Sequence, residues 1–393
     1  MNQNLLQPEI QEYLRENQNQ NFRKISLQKS PFSGVSSSEL AHQIKGLQIS
    51  KFKFPFLNEP EGIYFPPSIN LEQASSWATS QYKSEIVKGK SLIDLTAGMG
   101  IDSFGFAQKI NDVTALERNP ELVEISKHNY KILNQNNLNY INSEFEKYFS
   151  ENPKLKWDVI YLDPSRRIES QRKVILEDLE PNILDWIDEF LLRSETVLIK
   201  LSPLLDLKST IEKIPQIQEI YIIAVKNEVK ELLIICKKDL NSNPKIKAVN
   251  LESNQPDFEF NWNEESATNS TFSEPQKFIY EPSASILKSG AFKLIGEKFN
   301  LKKIHVNSHL YTSNELIKSF PGKIFEVIEE LKNPKKEIEK QAFHLLVKNY
   351  PLNTEAVRKK YKIKEGIEQT LIFTQSNSGK HILLAKRVRN LMP

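Results

Sequence analysis

The stretch that decides the fold is DLTAGMGID, residues 94–102. It follows the apolar run SLIDL (91–95) and opens onto a segment patterned as a helix over 102–110. Glycines at 98 and 100 let the backbone of such a turn approach a ligand closely, and the start of the following helix favours negative charge. A second apolar run, VTALE (113–117), ends on Glu117, 23 residues after Asp94. A carboxylate in that place suits the ribose hydroxyls of a nucleotide-like cofactor. The pattern departs from the dinucleotide fingerprint, because Ser103 stands at the third glycine position and acidic Asp94 precedes the turn. An acid there suits a cationic or zwitterionic ligand better than a pyrophosphate, and S-adenosylmethionine carries an amino group and a sulfonium without phosphate.

Outward from this turn the chain alternates. NYIN (139–142), WDVIYLD (157–163) and TVLIKL (196–201) are further strand candidates, with helices expected over 120–135, 172–192 (broken near Pro181) and 207–213. Short continuous apolar strands alternating with helices predict a parallel sheet covered on both faces. IQEIYIIAV (217–225) and KELLIICKK (230–238) are joined only by KNEV, too short for a crossover helix, so they pair antiparallel.

The fourth strand runs into YLDPSRR (161–167). Ligands of open α/β sheets bind beyond the carboxyl ends of the strands, so Asp163 is expected to face the reactive end of the cofactor. A carboxylate beside the Pro164 carbonyl can accept hydrogen bonds from an amine and aim its lone pair at a methyl group. Arg166 and Arg167 offer guanidinium groups to phosphate at the mouth of the site. Lys200, in IKLSP, is placed at the end of the fifth strand to reach substrate phosphate, or to lie along the sheet edge.

Around this core, residues 1–70 read as a mostly helical substrate or cap region, with Ser36–Ser38 offering an N-cap near Glu39. The aromatic, proline-rich segment 51–73 reads as short strands or extended chain. Residues 71–238 form the nucleotide-type domain, and the Asn/Ser/Glu-rich segment 239–276 reads as a linker with an embedded hairpin, AVNLE and FEFNW. Beyond it come an α+β piece over 277–322, with a helix over 284–299, and a terminal module over 323–393. That module is expected to hold helices near 335–347 and 353–360 and a last hairpin, TLIFTQ–SNSG–KHILLAK (370–386).

Of 393 residues, 39% are hydrophobic and 26% charged, which excludes a disordered or fibrous chain. No apolar run is long enough for a membrane span, and the polar start has no signal-peptide core. The lone Cys236 excludes an internal disulfide framework and a thiolate metal cluster, and points to reduced cytoplasm. It sits in an apolar strand, which argues against pyrimidine C5 methylation through a thiolate. The six histidines show no metal-binding spacing, so no metal is expected. The net charge of +3 conceals an asymmetry: residues 277–393 hold 22 Lys/Arg against 11 Asp/Glu, and residues 1–276 hold 31 against 39. A basic terminal third on an acidic body fits a polyanion partner.

LEQASSWATSQYK (71–83), DLTAGMGID, ALERNP (115–120) and YLDPSRR together resemble class I S-adenosylmethionine-dependent methyltransferases. The segments at 280–313 and 320–331 resemble a bacterial group of these enzymes with a ferredoxin-like piece and a C-terminal THUMP-like domain. The resemblance implies a Rossmann-like sheet of seven strands ending in the antiparallel hairpin, and methylation of a base amine in structured RNA, tRNA or rRNA. It implies that Asp94, Thr96, Gly98 and Gly100 cradle the methionine part of S-adenosylmethionine, that Glu117 holds the ribose, and that Glu144 lies near the adenine amine. Asp163 and Pro164 fall on the motif facing the acceptor, and Gln73 on a position used to reach cofactor or substrate. Thr96 stands where many relatives have glycine, and Ser165 where amine methyltransferases often have a second proline. The alternatives are a protein or small-molecule acceptor, or an RNA-binding protein that keeps the fold without turnover.

Overall fold

Valine, isoleucine and leucine runs that lose all contact with water build the central sheet. Val159, Ile160, Val197, Leu198 and Ile199 are each 0% exposed, at about 1.5–3 kcal/mol of stabilisation per side chain relative to exposure. The computed structural model describes residues 1–166 and 175–388. The chain divides into two units, one of Met1–Gln218 with Leu233–Asn241 and one of Glu219–Leu232 with the chain from Ser242 onward.

The strands are β1 (Ser91–Asp94), β2 (Asp112–Glu117), β3 (Leu138–Asn142) and β4 (Trp157–Leu162). Two-residue strands β5 (Ser165–Arg166) and β6 (Leu179–Glu180) pair with each other, antiparallel. Then follow β7 (Ser194–Leu201), β8 (Ile217–Val225), β9 (Glu228–Cys236), β10 (Lys245–Leu251) and β11 (Phe258–Asn261). The sheet order is β11-β10-β8-β9-β7-β4-β1-β2-β3. Pairs β1–β2, β1–β4, β2–β3 and β4–β7 are all parallel. The reversal after β8 uses Lys226 and Asn227, both at positive φ (50° and 67°), the geometry of a two-residue antiparallel hairpin.

Several expectations are corrected here. The sheet has nine strands, because residues 239–276 supply β10, parallel to β8, and β11, antiparallel to β10. The embedded hairpin expected in this linker is β10 with β11, and it adds to the sheet edge instead of standing apart from it. Of the span 172–192, expected to break near Pro181, residues 172–174 lie outside the described residues, Leu176–Asp178 is only a 3-10 turn, and the helix after the break runs from Ile183 to Arg193, capped by Asn182 on the Leu184 N–H. Pro181, without an N–H, cannot continue a helix through this point. Segment 51–73 contains no strand: Lys53 ends one helix, Pro55–Leu57 is a 3-10 turn and Ser68–Gln73 is helical.

The N-terminal helices make a layer on the glycine turn. Ser36 and Glu39 form a reciprocal capping box on the helix Ser37–Lys53. Its Leu40, Ile44 and Leu47 share one buried cluster with Met99 and Ile101 of the turn. An aromatic stack runs from this layer inward: Phe56 to Phe104 at 4.4 Å, Phe104 to Tyr130 at 5.3 Å, Tyr130 to Tyr140 at 5.9 Å between ring centres.

The second unit contains a seven-stranded sheet of β12 (Phe278–Pro282), β13 (Lys302–His305), β14 (Ser308–Ser313), β15 (Gly322–Glu330), β16 (Ala342–Val347), β17 (Lys364–Gln375) and β18 (Lys380–Val388). Their order is β13-β14-β12-β15-β18-β17-β16, so residues 277–322 and 323–393 contribute strands to one sheet. The helix expected over 284–299 is two short helices, Ala284–Ser289 and Leu294–Lys298. The one expected over 335–347 is a helix only over Pro334–Ile338; Ala342–Val347 is strand β16. Among the described residues no helix is long and apolar enough to cross a membrane.

Candidate active site

The turn after β1 is shaped by the residues that flank it. Asp94 is 1% exposed. One of its carboxylate oxygens accepts from the Thr96 N–H (3.0 Å), the other from the Ser103 hydroxyl (2.6 Å). Backbone bonds hold the turn from both sides, Leu95 N–H to the Tyr161 carbonyl and Ala97 N–H to the Leu116 carbonyl, each 2.9 Å. Asp94 thus braces the loop that carries it. Buried groups need such partners.

The two glycines differ. Both have left-handed φ, +55° at Gly98 and +83° at Gly100. A Cβ at Gly98 would meet nothing within 4 Å, whereas one at Gly100 would lie 1.6 Å from the Tyr140 hydroxyl. Open space therefore lies over Gly98, and close packing lies under Gly100. The Gly98 N–H donates to Glu117 at 2.9 Å, and the other Glu117 oxygen accepts from the Asn119 N–H at 2.7 Å. Glu117 is half-buried at the carboxyl end of β2, and each oxygen retains a lone pair for a further donor. Glu144 is exposed, just beyond β3 and immediately before the helix Phe145–Glu151.

The end of β4 comes to the same place. The Asp163 N–H donates to the Thr96 hydroxyl at 2.7 Å, so the glycine turn and the Asp163–Pro164 motif are hydrogen-bonded to each other. The Lys200 ammonium, from β7, pairs with the Asp163 carboxylate. The sequence reading sent Lys200 toward phosphate or the sheet edge; the parallel register of β4 and β7 brings it to Asp163. Pro164 is buried. Arg166 belongs to β5, and Arg167 lies outside the described residues. Gln73 is exposed and ends its helix.

A buried polar cluster beside this site escaped the sequence reading. Lys83 donates to Asp102 at 2.9 Å and to the Ser75 hydroxyl at 2.9 Å, and Asp102 also accepts from Ser75 and from the Tyr161 hydroxyl, both at 2.7 Å. The Lys83 side chain is fully enclosed. Burial works against a charged Asp102, but the Lys83 and Lys200 ammonium groups outweigh it and hold the carboxyl below its ordinary range. Removing one partner of such a pair costs about 3–5 kcal/mol. Its only sequence signal is a lysine on the face of Trp77–Ile86 that also buries Thr79, Ser80 and Ser84.

This architecture has known relatives. Residues 278–321 match a family described as a ferredoxin-like domain, and residues 322–387 one described as THUMP domain-like. The crystal structure of a "putative methyltransferase" from Porphyromonas gingivalis W83 is 30% identical, covers 98% of this chain and 99% of its own, and superposes with a TM-score of 0.88. The chain belongs to the class I S-adenosylmethionine-dependent methyltransferases with a C-terminal THUMP-like domain. Further relatives are an uncharacterized S-adenosylmethionine-dependent methyltransferase of Mycobacterium tuberculosis, 18% identical over 79% of this chain and 84% of its own length, and an uncharacterized RNA methyltransferase of Mycoplasma mobile, 28% identical over 33% of this chain and 36% of its own length.

In this methyltransferase the single cysteine, Cys236, is fully buried, and burial pushes its thiol up. It offers no nucleophile. Asp94 carries a pH signature. Burial pushes its carboxyl up to about 7 from 3.8, against the Ser103 and Thr96 hydrogen bonds, with the Asp102 and Asp163 charges adding to the rise. The folded methyltransferase then keeps a proton that the unfolded chain releases, so stability falls as pH rises through the interval between those values and levels off above it. Asp94→Asn, a neutral isostere, is expected to remove that slope. Melting temperatures of the two proteins converge below the unfolded value of 3.8, and the variant becomes the relatively more stable one as pH rises past 7, by up to a few kcal/mol. Parallel pH profiles would contradict the assignment.

Proposed function

We propose that this methyltransferase transfers the methyl group of S-adenosylmethionine to a base amine of structured RNA, tRNA or rRNA. The observation that carries the reading is the Thr96–Asp163 hydrogen bond, which fixes the acceptor motif on the turn that faces the donor. The residues fit the donor. Open space over Gly98 admits its methionine portion, and Glu117 has oxygens for ribose hydroxyls. Glu144 would lie toward the adenine amine. Asp94 and Thr96 contribute by holding the turn.

When bound, the donor supplies an electrophilic methyl on a sulfonium, which needs little acid–base help. The chain's own residues align the acceptor. Asp163 and the Pro164 carbonyl accept the amine's hydrogens and direct its lone pair. Lys200 pairs with the Asp163 carboxylate and orients it. Gln73 would contact the base or the donor. Support for RNA comes from the excess of 22 Lys/Arg over 11 Asp/Glu in residues 277–393, from the THUMP-like match, and from the relative named an RNA methyltransferase. Phosphate contacts of this kind give affinity that falls with salt.

The test is a modified-nucleoside profile of tRNA and rRNA, by mass spectrometry, from cells with and without the gene. One methylated base should disappear and return on incubating the deficient RNA with the enzyme and donor. Identical profiles would turn the reading toward a protein or small-molecule acceptor.

A further inference from the structure

The N-terminal layer contains a groove of about 600 Å³ remote in sequence from the glycine turn. It is lined by the amide-bearing residues 18–21 and Gln48, by Phe22, Leu47 and Phe52, and by Arg23 and Lys51. None of its described lining residues is acidic. The wall is pre-organised: the Gln48 amide donates to the backbone carbonyls of Gln18 (2.9 Å) and Gln20 (2.7 Å), fixing the loop that presents the amides. Phe52 is 84% exposed although it sits in a helix whose other face is packed. The Arg23 guanidinium and the Lys45 ammonium lie 5.9 Å and 5.7 Å from the centre of the Phe22 ring.

We infer that this groove binds a single-stranded segment of the RNA substrate, an inference that rests on the RNA reading above. Each class of lining group has a matching feature in unpaired RNA. An exposed aromatic ring stacks on a base face, carboxamides both donate to and accept from base edges, and Arg and Lys neutralise phosphate. Gln48, Gln20 and Asn21 use their amides partly to hold the loop, which leaves the Gln18 and Asn19 carboxamides to meet base edges; an apolar protein partner would not pair with them, and an acidic one would leave the exposed ring without a flat partner.

The test is equilibrium binding of a fluorescein-labelled single-stranded RNA of about 12 nucleotides to the full chain, by anisotropy, across a salt series. Phe52→Ala is expected to weaken binding roughly tenfold, and Phe52→Trp to retain it, because stacking and not packing is at stake. Arg23→Glu with Lys51→Glu should weaken binding further and lower the salt slope by about two. S-adenosylhomocysteine affinity and melting temperature should stay as in the wild type. If the wild type binds RNA and the variants bind it equally well, the groove is not the site, and the RNA reading stands. If the wild type binds no RNA, the RNA reading falls and takes the groove with it.

Discussion

Asp163→Ala is expected to lower methyl transfer at least about 100-fold while leaving S-adenosylhomocysteine binding within a few-fold of wild type. The asymmetry follows from where the residue sits. Its N–H is committed to Thr96, so the backbone stays in place in the variant. Its carboxylate is paired with Lys200, whose side chain is only 14% exposed. Truncation therefore removes the acceptor's alignment and leaves a poorly hydrated ammonium where the amine should dock, adding repulsion toward any partly positive nitrogen. Asp163→Asn keeps a hydrogen-bond acceptor and should fall between wild type and alanine. Single-turnover rates with saturating donor, set beside calorimetric titration of S-adenosylhomocysteine, separate the two effects. Full activity in the alanine variant would remove Asp163 from the chemistry.

Alanine at the two turn glycines should fail in two different ways. At Gly100 the left-handed backbone costs about 1–2 kcal/mol, and the new methyl would sit 1.6 Å from the Tyr140 hydroxyl. Tyr140 is 2% exposed and stacked on Tyr130, so it cannot swing away; overpacking adds roughly 1–3 kcal/mol. The protein should lose a large part of its stability, with a depressed denaturation midpoint. At Gly98 only the backbone term applies, since nothing lies within 4 Å. That variant should fold with a modest loss, yet bind S-adenosylhomocysteine at least about tenfold more weakly, because the methyl fills the space assigned to the donor. Denaturant melts and calorimetry on both proteins test the pair. Equal donor affinity in Gly98→Ala would show that the ligand does not pass over this turn.

The strands of the central sheet were readable because each is a short apolar run bounded by turn residues, and the hairpin because KNEV leaves no room for a crossover. Strand β16 was not. Residues 335–347 begin with Lys335, Lys336 and Glu337, a helical composition, and only the exposed–buried alternation of Ala342, Phe343 and His344 betrays a strand. Its partner β17 lies some twenty residues away, and parallel pairing at that distance leaves no local mark. The same holds at the site. The glycine turn and Asp94 are contiguous in sequence, and Glu117 follows at the end of the next strand, so both are legible there, whereas the Lys200–Asp163 pair exists only through the register of β4 beside β7. Lys83 was hidden differently. Its helix buries small polar side chains, so no hydrophobic stripe announces which face is inside. Sequence gives position but not direction: that the Asp94 carboxylate accepts from Thr96 and Ser103 of its own loop shows only in the structure.

The stacked rings from Phe56 through Phe104 and Tyr130 to Tyr140 join the first sixty residues to the floor beneath Gly100. Cutting the chain ahead of β1 would strip one face of Phe104 and bare Met99 and Ile101 to water. The sheet cannot then be inherited, or borrowed by an engineer, as a free-standing catalytic cassette; its leader helices are the keel on which the loop rides.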